Sequence, residues 1–264
     1  RAGDLVLPAG VRIEARHLAA AASLGVSGLD VRPRPRVAVI ATGAELVPPG
    51  RPLGPGQIWE SNSVTLAAAL KAIGCTVSTC TTSGDARADF TAALREAVDH
   101  SHLIITTGWV AAGAFDVVKT VMSAGDMWFG HVDMQPGKTQ GAGSWAGVPV
   151  LCLPGNPVAA YVSFLMFVTP AIARLRGRDT PADLDSRPRV TATACAPFPS
   201  ARAKNLIVPV RLTWDANGAG ASPFTRAGRG SHFAASLNGV GGFVLIPPGG
   251  TGPQAGGKVT VYLT

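Results

Sequence analysis

Hydrophobic positions follow two regimes along the chain. Between residues 36 and 177, short β-branched runs alternate with longer stretches whose apolar side chains recur every three or four positions. The runs 37–41, 77–81, 103–106, 127–132 and 148–153 read as strands. The stretches 63–73, 88–98, 115–123 and 158–175 read as helices, with Ser61 and Asn62 as caps for the first and Gly74 as its stop. This alternation predicts an α/β fold, a three-layer α/β/α domain over 36–180 built on a largely parallel sheet. From residue 189 the helical period disappears. VTATACA, LIVPVRLTW, GFVLIPP and KVTVYL are strand candidates between Gly/Pro-rich turns, which predicts a small all-β barrel domain over 187–264. Ahead of both, residues 1–35 form a short α+β segment. It comprises an extended piece, LVLPAGVRI, a helix over 14–24 stopped by Gly25, and the stiff linker Arg32-Pro33-Arg34-Pro35.

Composition narrows the class. With 47% hydrophobic and 15% charged residues among 264, the chain is folded and can bury a core in each domain. No apolar run reaches the roughly 18 residues of a membrane span, and the first residues carry no leader pattern, so the expectation is a soluble, cytoplasmic protein without membrane insertion. A start at Arg1 rather than Met predicts that preceding residues have been removed. Cys75, Cys80, Cys152 and Cys195 form no CxxC pair and read as reduced thiols. Charge is lopsided. Residues 1–186 carry 15 Lys+Arg and 15 Asp+Glu, whereas 187–264 carry 8 Lys+Arg against Asp215 alone, so the whole formal +7 lies in the last domain. That reads as a face that meets an anion or, equally, as a basic surface kept for solubility. No basic run or interleaved aromatic platform points to nucleic acid.

The chemistry-bearing residues fall in loops at the carboxyl ends of predicted strands, where open α/β sheets bind ligands. Thr42-Gly43-Ala44-Glu45 sets a carboxylate just past a glycine turn, and Ser83-Gly84-Asp85 repeats the arrangement after the next strand. Residues 106–116, TTGWVAAGAFD, form a loop with Gly108 and Gly113 that ends on Asp116. Leu153-Pro154-Gly155-Asn156-Pro157 opens the long helix, whose positive N-terminal end can hold an anion. Gln135-Pro136-Gly137-Lys138 presents one ammonium. Carboxylates, backbone amides and a lysine suit a Mg²⁺-nucleotide or oxyanion site. Taken singly, Glu45, Asp85 and Asp116 are residues more often found as caps or solvated loop acids, and Lys138 in a turn is usually surface. Gly141-Ala142-Gly143-Ser144-Trp145-Ala146 imitates a dinucleotide fingerprint but precedes an extended run. The five histidines are too scattered for a metal site.

TGAEL with VPPG and GQIWESNS, then TTGWVAAGAFDVVK, MQPGK and LPGNPVAAYVSFLMFVTPAIARLRG, in this order, resemble the molybdopterin molybdotransferase family and its eukaryotic relative gephyrin. The resemblance implies a homodimer with an active site in the cleft between subunits. It also implies a reaction in which molybdate enters the dithiolene of adenylylated molybdopterin, with Mg²⁺, and AMP leaves. Residues 1–35 look like the C-terminal part of the family's elongated first domain. Carried over by position, Glu45, Asp85, Asp116 and Lys138 are catalytic candidates, and the first three also metal ligands. Thr42, Gly43, Ser61, Asn62, Gly108, Gly113, Pro136, Gly137, Pro154, Gly155, Asn156 and Pro157 are pterin-nucleotide contacts. Ala44, Trp109, Ala111 and Ala114 depart from the family pattern, and an indole in place of glycine at 109 predicts a narrower pocket. The alternative is a gephyrin-like scaffold that binds a partner-protein peptide. A stand-alone oxyanion sensor is a third reading.

Overall fold

β-branched residues in an unbroken run favour a strand covered on both faces, and the first strand of the large domain is such a strand. The computed structural model describes residues 3–109, 117–178, 184, 186–216, 218–224 and 234–264. In chain order its first part contains α1 (Ala15–Ser23), β1 (Arg36–Thr42), the short pair β2 (Leu46–Val47) and β3 (Ile58–Trp59), then α2 (Asn62–Ala72), β4 (Thr76–Ser83), α3 (Arg87–His100), β5 (Leu103–Trp109) and α4 (Val117–Met122). β6 (Asp126–His131), β7 (Met134–Gln135), β8 (Thr139–Trp145), β9 (Val148–Pro154), α5 (Pro157–Ser163) and α6 (Thr169–Leu175) complete it. The sheet order is β4-β1-β5-β9-β8-β6. The first four strands are parallel, while β8 runs antiparallel to β9 and β6 to β8.

Alternate side chains of β1 serve opposite layers, as the strand period of two requires. Val37 and Val39 pack with Leu66 and Leu70 of α2 and with Val158 and Val162 of α5. Ala38 and Ile40 pack with Phe90 and Leu94 of α3 and with Val117 and Val121 of α4. The expected three layers are therefore present. The strand at β8 was not expected, because TQGAGSW lacks apolar alternation. Its glycines have a packing reason: a Cβ on Gly141 would meet Phe129 of β6 at 2.6 Å, and one on Gly143 would collide with the Asp126 carbonyl. At the N-terminus only α1 is regular among the described residues, and the expected extended piece at residues 5–13 joins no sheet.

α5 and α6 are halves of one 19-residue helix, Pro157–Leu175, with mean hydropathy 1.7. By length and composition it could cross a membrane, which the reading of the sequence had not counted. Half of it is buried, and Phe164, Leu165, Val168 and Ile172 belong to the core. Its middle, Phe164–Val168, is wound as a π-helix, so the Thr169 amide donates to the Phe164 carbonyl. That register leaves the Leu165 carbonyl without its α-helical partner, and Pro170, having no N–H, leaves Met166 in the same condition. Arg187 donates to both. Its Nη1 donates to the Leu165 carbonyl at 2.6 Å and its Nη2 to the Met166 carbonyl at 2.9 Å. The Thr169 hydroxyl also donates to the Leu165 carbonyl, at 2.7 Å. Burial lowers the Arg187 pKa, but an arginine that starts so high stays charged.

The second domain contains β10 (Arg189–Ala194), β11 (Asn205–Asp215), β12 (Gly218–Pro223), β13 (Gly242–Ile246) and β14 (Lys258–Leu263). The order β12-β10-β14-β13-β11 closes through β11–β12 into a five-stranded barrel around Ala192, Phe198, Val208, Val210, Val244 and Val261. β12, read from GAGASP, has no alternation to announce it. The two domains are joined by backbone as well as by side chains. β7 adds to β11 through Asn205↔Met134 and Leu206↔Gln135, and Ile207 and Phe243 of the barrel complete the same core as α5.

Candidate functional site

Parallel strands deliver all their carboxyl ends to one edge of a sheet. Thr42 is in register with Ser83, Ala41 with Thr107 and Trp109 with Pro154, so the loops after β1, β4, β5 and β9 share one rim. β8 runs the other way, so its start, not its end, reaches that rim. Gly141 pairs with Cys152, which carries Thr139 toward Pro154 and sets Lys138 just beyond. Glu45, Asp85 and Lys138 are thus brought to one edge, each exposed. Asp116 and Gly113, together with Ala111 and Ala114, lie outside the described residues.

The rim is held by close backbone approach and a small hydrogen-bond network. Gly108 has φ +119, and a Cβ there would collide with the Thr42 carbonyl oxygen. Gly155 packs on Gly108, where a Cβ would sit 3.0 Å from the Gly108 Cα. The positive φ falls on Gly108 and not on its neighbour Trp109, which closes β5. Asn62 Nδ2 donates to Thr107 Oγ1 at 3.0 Å and to the Gly155 carbonyl at 2.7 Å, and Thr107 Oγ1 donates to the Pro154 carbonyl at 3.0 Å. Asn62, buried, therefore ties α2 to the ends of β5 and β9. Gly43, with φ +153, donates its amide to the Ser83 carbonyl at 3.2 Å. The Glu45 carboxylate folds back over it, so that a Cβ on Gly43 would lie 2.6 Å from Oε2.

Two expected cap assignments change. Neither Ser61 nor Asn62 caps α2 with its side chain. Glu60, buried at 4% exposure, accepts from the Ser63 amide at 2.7 Å and the Ser63 hydroxyl at 2.5 Å. An acid three residues before Ser63 was the available signal. Asn156, by contrast, does cap the long helix, accepting from the Ala159 amide at 3.3 Å next to Pro157. The 136–138 turn follows a cis Gln135–Pro136 bond and has Gly137 at φ +95. Gln140 Nε2 donates to the Gly137 carbonyl at 2.7 Å and to Ser163 Oγ at 2.6 Å, fixing the turn that presents Lys138 against α5. Gln140 and Ser163 had no sequence signal, because their partnership spans the fold. Among the described residues, no group of three His, Cys, Asp or Glu lies close enough to hold a metal ion.

Residues 38–174, more than half of the chain, match the family model described as a probable molybdopterin binding domain. The chain belongs to the family of probable molybdopterin binding domains. Molybdopterin molybdenumtransferase 2 of Mycobacterium tuberculosis is 46% identical over 211 residues, covering 77% of this chain and 51% of that protein. Molybdopterin molybdenumtransferase of Haemophilus influenzae is 36% identical over 177 residues, 67% of this chain and 44% of the relative. The crystal structure of the molybdopterin biosynthesis MoeA protein from Pyrococcus horikoshii superposes with a TM-score of 0.80 at 28% identity, over 99% of this chain and 62% of that one. The chain spans about half the length of the curated relatives it matches. Within the family fold, the rim just described is the carboxyl edge of the matched domain.

Proposed function

We propose that this protein acts in molybdenum cofactor biosynthesis as a molybdopterin molybdotransferase, inserting molybdate into adenylylated molybdopterin with release of AMP. The observation that supports this reading is that Glu45, Asp85 and Lys138 lie along one sheet edge with the 107–109 and 154–156 turns. In this role Lys138 neutralises a phosphoryl oxygen of the substrate, and the 154–156 turn offers the positive end of the long helix to another. Gly108 and Gly155 let the loops after β1, β5 and β9 pack backbone to backbone, which fixes the rim against which the ligand would lie. Glu45 and Asp85 supply hard oxygen donors on adjacent loops, which suits Mg²⁺ shared with substrate phosphates, an ion that takes one or two protein carboxylates in such sites. When bound, that ion would supply charge neutralisation between the phosphates. Asp116 is the third proposed ligand and catalytic group.

Catalysis in such a site is positioning and charge compensation more than covalent work by the protein. The Asn62, Thr107 and Gln140 networks hold the rim rigid, and that rigidity keeps a polyanion aligned between the acids and Lys138. The basic barrel steers the same polyanion. We further place the protein in the cytoplasm, as a homodimer whose partner completes the cleft. None of the relatives named above favours the peptide-binding scaffold.

Incubation of the full-length protein with adenylylated molybdopterin, Mg²⁺ and molybdate is expected to release AMP in step with molybdate incorporation, and absence of both would remove the proposal. Asp116→Ala is expected to abolish turnover with an unchanged urea midpoint. Lys138→Ala is expected to raise KM at least tenfold, the loss of one charge-assisted contact. Wild-type steady-state kinetics in either variant would refute that residue's role.

A further inference from the structure

A cavity of 290 Å³ lies at the opposite edge of the sheet, where the parallel strands begin. Its walls include Arg12 from the leading segment, Ile73 at the end of α2, and Thr169, Ile172, Arg176 and Arg178 from α6 and the turn beyond. Three arginines therefore line a partly apolar pocket, and among the described residues no acid lines it. Arg176 is fixed in place, its Nη2 donating to the Gly74 carbonyl at 2.5 Å. Arg32 adds a fourth cation nearby. Its guanidinium lies against the bare Cα of Gly177, where a Cβ would come within 2.5 Å of Cζ.

We propose that this cavity is a second anion site, separate from the rim, that takes a phosphomonoester carried on a compact apolar body. Cations brought close together repel one another, so an anion between them is favoured. Guanidinium forks match phosphate oxygens in pairs, and a dianion answers several cations better than a carboxylate does. At about 30 Å³ per water the volume holds about ten water-sized units, which fits a phosphate with a single ring. Ile73 and Ile172 supply the apolar contact for that ring, and Thr169 lines the same wall. The site stands independently of the transferase reading, because its residues come from the opposite sheet edge.

The test is calorimetric titration of the full chain with phenyl phosphate and with inorganic phosphate, against sodium chloride at matched ionic strength. Saturable binding of phenyl phosphate at least tenfold tighter than inorganic phosphate is expected, with loss of at least tenfold in the double variant Arg12→Gln, Arg178→Gln. Lys138→Gln is expected to retain it. No saturable binding, or binding that survives the double variant and disappears in Lys138→Gln, would overturn the proposal. Hydrogen exchange on the unmutated protein gives a readout independent of any variant's folding. Phenyl phosphate should increase amide protection over residues 72–74 and 172–178, and protection confined to the rim would count against the site.

Discussion

Gly108 is where one atom decides most. Its φ of +119 and its approach to the Thr42 carbonyl leave no room for a side chain, whereas Gly84 on the neighbouring loop faces open space. Gly108→Ala is expected to destabilise by about 3 kcal/mol or more in urea denaturation, and Gly84→Ala to stay within about 0.5 kcal/mol. Thr106, next to the network, presents the opposite case. Its hydroxyl is fully buried and, among the described residues, without a partner, so Thr106→Val is expected to leave stability equal or higher by up to about 1 kcal/mol. Thiol reactivity should divide by burial. Cys75 is pushed above its ordinary 9.0 by burial, offset in part by the Arg176 charge, and Tyr161 above 10.0 by burial. Both groups hold their protons longer in the folded chain. Their stabilising contribution is full below those ordinary values and is lost as pH rises through the folded ones, so the urea midpoint should fall on going from neutral pH to above about 10. At neutral pH iodoacetamide should label Cys80 and Cys195, which are exposed, before Cys75.

At the scale of elements, the long helix is the least regular and the most informative. A π stretch and a proline free two adjacent carbonyls, and one guanidinium from the interdomain connection answers both. Arg187→Met keeps much of the side-chain volume but leaves the Met166 carbonyl without that donor and the Leu165 carbonyl with the Thr169 hydroxyl alone. The expected cost is about 2–4 kcal/mol by urea denaturation, with faster amide exchange over residues 164–170 than in the unmutated chain. An unchanged exchange pattern would mean that the helix holds its π register without that contact. β8 shows a related dependence. Its glycines are poor strand formers, and they are tolerated because β6 crosses too close for larger side chains.

At the scale of the molecule, the barrel is not an appendage. β7 contributes an edge to β11, and Ile207 and Phe243 belong to the core that also contains Val158 and Leu165. The full chain should therefore unfold in a single calorimetric transition, and a chain ending at residue 186 should lose both cooperativity and the folded signal of the α/β domain. Two separable transitions would show that the shared core is energetically minor.

How much of this was written in the chain depends on the range of the interactions involved. The layers of the large domain, the order of its parallel strands' loops and the barrel beyond were legible, because β-branched runs, 3.6-residue periods and Gly/Pro turns act over a few residues and leave a local trace. Family membership was legible for the same reason, since TGAEL, MQPGK and LPGNP are contiguous. What needed the tertiary structure is everything fixed by contact across the sheet. β8 and β12 are strands through pairing and not through pattern. Glu60 caps α2 while Asn62 turns to Thr107 and Gly155, and Gln140 meets Ser163. Arg12 finds Arg176 and Arg178 from more than 150 positions away in the sequence. Such partners are chosen by the way parallel strands and packed helices bring distant segments to a common edge, and a one-dimensional pattern carries no record of that choice.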